Sequence, residues 1–147
     1  GPKRLDAAAL NGVPAVVTPG CLDMVNFGPP ETIPPRFAGR TFYQHNPQVT
    51  LMRTTPEECR QLGRIIAEKL NRSTGPVTFL FPLRGISVIS QPGQPFHLPD
   101  SDQALRESLK EHLRPNVEFR ELDLYINAPE FAGACVDSLL SKITKPG

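Results

Sequence analysis

The stretch TPEECRQLGRIIAEKLNRSTGPVTFLF, residues 55–81, decides the fold. Thr55 has the side chain of a helix N-cap, and Pro56 at the first helical position lacks an N–H that would be unpaired there anyway. Glu58 falls at N3, completing a capping box. Leu62, Ile65, Ile66, Lys69 and Leu70 then recur at helical spacing until Asn71 to Gly75 stop the helix. Val77 to Phe81 is an unbroken apolar run, as expected of a central parallel strand covered on both faces. A capped helix feeding a buried strand is half of a βαβ unit, so the chain reads as an α/β domain.

The flanks extend this pattern. Lys3 to Asn11 carries strong helix formers and a stop at Asn11-Gly12. Val13 to Thr18 is a short buried strand ended by Pro19-Gly20. A helix at the second residue reads as a crossover whose preceding strand is absent. Residues 21–28 read as a loop or single helical turn, and 29–40 as irregular, because Pro34-Pro35 forbids a regular helix. Thr41 to His45 is a short strand turned at Asn46-Pro47. After the central strand, Pro82 to Pro99 is longer than most βα connections and is a candidate functional loop. Asp100 is expected to cap a helix with Leu105, Leu109 and Leu113 on one stripe. Val117 to Leu124 alternates as an outer strand does, and Asn127 is expected to cap a last helix buried through Phe131, Cys135, Leu139 and Leu140.

Composition narrows the class. The 147 residues suffice for one domain with a real core, and 39% hydrophobic with 21% charged residues describes an ordinary globular chain. A net charge of +1, without blocks of like charge, gives no footprint for nucleic acid. No apolar run approaches the roughly 20 residues of a membrane span. Cys21, Cys59 and Cys135 lack C-x-x-C spacing, and with three scattered His they argue against a disulfide framework or a metal site. Reduced, cytoplasmic residence is expected.

Two polar segments stand at strand ends, where an open α/β sheet builds its binding crevice. In the first, Asp23 and Asn26 can take a hydroxyl or amine, although on composition alone a turn-capping role takes precedence. In the second, His45 and Asn46 precede a proline. His45 is a candidate proton-transfer group, with a hydrogen-bonded structural role as the simpler reading. Arg53, Thr54 and Thr55 open the best helix, where free N–H groups, the helix dipole and a guanidinium suit an anion. Pairing of Arg53 with Asp23 or Glu31 explains the same residues. In the long loop, Arg84, Gly85 and Ser87 are candidates for ligand contact, without a Walker or G-x-G-x-x-G signature. Cys21 reads as an ordinary free thiol.

Leu22-Asp23-Met24-Val25-Asn26-Phe27-Gly28, His45-Asn46-Pro47-Gln48-Val49-Thr50-Leu51-Met52-Arg53-Thr54-Thr55, Thr32-Ile33-Pro34-Pro35, Ile66 to Asn71, Pro92 to Phe96 and Ile126-Asn127 together resemble the tomato mosaic virus resistance protein family. That family comprises a plant inhibitor of tobamovirus RNA replication and microbial relatives described as ATP-binding-domain proteins. The resemblance implies a Rossmann-like three-layer sandwich with a mostly parallel sheet. Residues 1–147 would be the C-terminal part of a larger, second domain, incomplete by itself, with the missing N-terminal part and further copies as partners. It implies ATP or another nucleotide, or some other small anion, as ligand. Leu83-Arg84, Ser90, Tyr125 and Asn127-Ala128 depart from the family's acidic residue, aspartate, histidine and Asn-Asp pair. Binding is therefore expected ahead of catalysis, the alternatives being an enzyme acting on a carboxylate or phosphate ester through His45 and Asp23, or an interaction module.

Overall fold

A computed structural model describes residues 2–143. Three strands, β1 (Ala15–Val17), β5 (Val77–Pro82) and β6 (Val117–Leu122), form a parallel sheet in the order β1-β5-β6. Every residue of β5 is buried, as its unbroken apolar run requires. In β6, Val117 is buried and Phe119 half-buried while Glu118 and Arg120 are exposed, as suits an edge strand. Phe79 and Phe119 stack across the pair at 5.8 Å between ring centroids.

Helices α2 (Pro56–Leu70) and α3 (Pro99–His112) pack against each other over one face, and α1 (Asp6–Leu10) packs on α2. Helix α4 (Pro129–Ile143) packs on β1 and β5 instead, which places it on the other face and completes an α/β/α arrangement of Rossmann-like type. The core beneath α2 and α3 holds Cys59, Leu70, Phe79, Phe81, Leu105 and Leu109. The capping box is present: Glu58 N donates to Thr55 Oγ1 at 3.2 Å and Thr55 N to Glu58 Oε2 at 2.8 Å. The buried face of α2 runs through Cys59, Gly63, Ile66, Ala67 and Leu70, leaving Ile65 exposed. Small residues set that face, because a Cβ on Gly63 would stand 2.8 Å from Ser108 Cβ of α3.

The regular alternation of strand and helix breaks between β1 and α2. Residues 21–28 are not a loop or helical turn throughout: Met24–Phe27 is a strand, β2. With β3 (Phe42–Asn46) and β4 (Val49–Arg53) it forms a second, antiparallel sheet in the order β2-β4-β3. Pairing of Met24 with Arg53 and of Phe27 with Thr50 extends a segment whose own residues carry no alternation. Between β2 and β3 the Pro-rich segment makes two short 3-10 turns, Pro30–Thr32 and Pro35–Phe37.

Three helix starts and one buried face differ from expectation. Helix α1 starts at Asp6 because Leu5 takes a left-handed φ of 68°. Asp100 is not the cap of α3: Leu98 precedes the helix without a side-chain cap, and Pro99, with its preset φ, takes the first position. Helix α4 starts at Pro129, so Ala128 rather than Asn127 stands ahead of it. Its buried face runs through Phe131 and Ser138, which turns Leu140 outward, 51% exposed.

Candidate functional site

At the carboxyl ends of β5 and β6 the two outgoing loops are tied together. Leu83 N donates to Leu122 O at 2.8 Å, Arg84 N to Leu124 O at 3.1 Å, and Ile126 N to Gly85 O at 3.1 Å. Gly85 has φ +133°, a conformation side chains rarely adopt, which lets the chain turn inward at once. The next residues curl around Ser90, whose Oγ accepts from Ile86 N and Ser87 N, each at 3.0 Å.

Beneath this loop lies a buried polar cluster. Asp23 is fully buried, and its Oδ2 accepts from Ser87 Oγ at 2.5 Å, while Oδ1 has no hydrogen-bond partner among the described residues. Arg53, 2% exposed, spends its guanidinium on the protein: Nε donates to Phe96 O at 2.9 Å, Nη1 to Thr54 Oγ1 at 3.1 Å, and Nη2 to Asp102 Oδ1 at 2.5 Å and Leu98 O at 3.3 Å. Thr54 Oγ1 donates to Leu22 O, and Ser101 Oγ to Thr54 O. Burial pushes the carboxyl of Asp23 above the usual range, against the Ser87 hydrogen bond and the Arg53 charge. Burial likewise raises Asp102 against the pull of Arg53. The carboxylate that pairs with Arg53 is thus Asp102, not Asp23 or Glu31; Asp23 offers it only a backbone carbonyl, at 3.5 Å.

Above the cluster opens a cleft of about 320 Å³ at the carboxyl end of β5, bounded by Arg84, Gly85, Ser90, His97, Asp102 and Arg106. This is the position at which open α/β sheets take ligands. Arg106 Nε is 3.3 Å from Glu121 Oε1, an ion pair without hydrogen-bond geometry. Arg84 forks onto Asp123 at 2.8 and 2.7 Å from an exposed position. The Arg84 pair is exposed and bidentate and the Arg106 pair is half-buried, so an incoming anion would compete with Asp123 and Glu121 for these two guanidiniums. His97 Nδ1 lies 3.2 Å from Ser90 O, which orients its ring.

The ten sequence candidates therefore separate. Asp23, Arg53, Thr54 and Ser87 meet in the interior. Arg84 and Gly85 border the cleft. Thr55 caps α2 beside Glu58, whose carboxyl is held below its usual range chiefly by the Arg40 fork at 2.6 and 3.1 Å. Asn26, His45 and Asn46 are exposed on the antiparallel sheet, where Asn46 Oδ1 closes a turn by accepting from Gln48 N. The register sets Met24 opposite Arg53 and Gln44 opposite Thr50. His45 is thus three or more residues, about 10 Å, along the sheet from Asp23. The two do not form a proton-transfer pair. Cys21 takes a left-handed φ of 58°, and burial, with the nearby Asp23 charge, pushes its thiol pKa up.

Sequence reasoning passed over His97, Asp102 and Arg106. Asp102 and Arg106 are four apart, hence on one helical face, and begin one turn after a Pro-capped start. That spacing was the available signal. Among the described residues no group of three His, Cys, Asp or Glu could hold a metal ion, and no helix is long and apolar enough to cross a membrane.

Residues 1–143 match the family described as Uncharacterised protein family (UPF0261) C-terminal domain. A UPF0261 protein of Clostridium tetani is 46% identical over 146 residues, which is 99% of this chain and 36% of that protein. One of Rhizobium meliloti is 49% identical over 135 residues, 90% of this chain and 34% of that protein. The ToMV resistance protein Tm-1(GCR237) of Solanum lycopersicum is 42% identical over 140 residues, 94% of this chain and 19% of that protein. The chain spans about a third of its bacterial relatives' length and about a fifth of the tomato protein's.

Proposed function

The chain belongs to the uncharacterised protein family UPF0261, as its C-terminal domain, and from that footing we propose that it binds a small organic anion in the cleft above β5. The observation that carries this reading is the convergence of Arg84 and Arg106 on one cleft at the carboxyl end of a parallel sheet. Arg53 has no donors to spare, so the anion falls to these two instead. ATP or another nucleotide belongs to this ligand class. An enzyme using His45 and Asp23 has less support, because the two stand apart on the antiparallel sheet.

Calorimetric titration with inorganic phosphate and with ATP tests the reading. The doubly substituted Arg84→Ala, Arg106→Ala chain should lose at least about tenfold in affinity with unchanged circular dichroism. Undiminished binding in that variant, or no anion binding by the parent, would refute it. Three free thiols suit a reducing compartment, and we place the chain in the cytoplasm. The edge of β1 away from β5 carries no strand among the described residues. We propose that the rest of the longer protein, or a second copy, pairs there. A monomer by light scattering at high concentration would count against self-pairing.

A further inference from the structure

We infer that the cleft selects a small hydroxylated anion, a sugar acid or sugar monophosphate, with Asp102 as the acceptor for a ligand hydroxyl. The inference rests on the anion reading above and specifies its ligand. Asp102 lines the cleft with its side chain 19% exposed. One carboxylate oxygen, Oδ1, accepts from Arg53 Nη2, and Oδ2 has no hydrogen bond to the described residues. A carboxylate oxygen with bonding capacity to spare, on a side chain that lines a cleft, invites a donor.

Charge decides which donor. Asp102 is already compensated by the buried Arg53 guanidinium, which is 2% exposed and has no other carboxylate within ion-pair distance among the described residues. A ligand ammonium would add a cation beside Arg53, whereas a hydroxyl supplies the hydrogen bond without charge. The ligand's own anionic group is repelled by Asp102 and drawn to Arg106, one turn along the same face of α3. Residues four apart on a helix stand about 6 Å from each other. The ligand must therefore carry its anionic head and a hydroxyl a few bonds apart, which a three- to six-carbon polyol chain does. His97, oriented through Ser90 O, stands at the same opening as a further polar contact.

Size points the same way. At about 320 Å³ the cleft is at the lower end of the usual range for ligand sites, roughly 300–1,000 Å³. That volume suits a sugar phosphate better than a whole nucleotide.

Calorimetry on the full 147-residue chain tests the inference with ribose 5-phosphate and gluconate as the two hydroxylated probes. Pentyl phosphate and hexanoate are their hydroxyl-free counterparts, with inorganic phosphate and ATP as references. At least one hydroxylated probe should bind about tenfold or more tighter than its counterpart, the value of a hydrogen bond to a charged acceptor. Which of the two does so tells a phosphate from a carboxylate head. That preference should be kept in Arg84→Ala, with both affinities lowered. Equal binding of hydroxylated and hydroxyl-free probes overturns the inference, as does ATP binding more than tenfold tighter than ribose 5-phosphate. In either case anion binding that depends on Arg106 leaves the anion reading standing, and absence of binding by every one of these anions overturns both.

Discussion

Arg53→Ala should be the most damaging single substitution at the rim, for reasons independent of any ligand. The guanidinium is 2% exposed and holds Phe96 O, Leu98 O, Thr54 Oγ1 and the Asp102 carboxylate at 2.5 to 3.3 Å. Each buried acceptor left unpaired costs about 1–3 kcal/mol, and removing one member of a buried ion pair about 3–5 kcal/mol. These overlap, because the same water-excluded site is counted in each, so the expected loss is about 3–5 kcal/mol. Against the 5–15 kcal/mol typical of a whole domain, that is about a fifth or more of the stability. Urea denaturation should show a lower midpoint at constant m, and the Tm should fall by roughly 6–20 °C. Adding Asp102→Asn removes the stranded charge, so the double variant should be more stable than the sum of the two single losses predicts. A loss under about 1 kcal/mol, or strict additivity, would refute the reasoning.

Asp23→Asn tests the other buried carboxyl through pH. Because burial raises the folded pKa of Asp23, its stabilising contribution is present below the unfolded value of about 3.9 and is lost as pH rises through the folded value. The Asn variant should match the parent near pH 3 and gain on it towards pH 7, by about 1.4 kcal/mol for each unit of elevation; denaturation at the two pH values with no such crossover would contradict this. Gly63→Ala brings a methyl to 3.0 Å from Leu105 O and 2.8 Å from Ser108 Cβ. Overpacking costs about 1–3 kcal/mol against a helix-propensity gain near 1 kcal/mol, so thermal unfolding should show a net loss, and a stabilised variant would disprove the tight α2–α3 contact. Thr55→Ala removes the oxygen that receives Glu58 N, and should cost about 1 kcal/mol, or roughly 2–4 °C in Tm. No measurable change would mean that the cap is redundant.

Sequence alone determined the elements whose signals are local. The Thr55-Pro56-Glu58 start and the all-apolar Val77–Phe81 run act through their own backbone groups and side chains, and both appear where the pattern placed them. The resemblance based on Leu22–Gly28 and His45–Thr55 likewise led to the right family. Tertiary structure alone decided the antiparallel sheet, because Met24–Phe27 becomes extended only by hydrogen bonding to β4, a partner some 25 residues away. It also decided which polar residues face solvent. Arg53 and Arg84 look equivalent in the sequence, each at a strand end and each followed by a small or polar residue. Packing of the 91–98 loop and α3 over β4 encloses the first, so its charge must be answered by Asp102. The second stays exposed at the open carboxyl end of β5, where it pairs with Asp123 on the surface. Burial depends on what the rest of the chain lays over a residue, and no local pattern contains that.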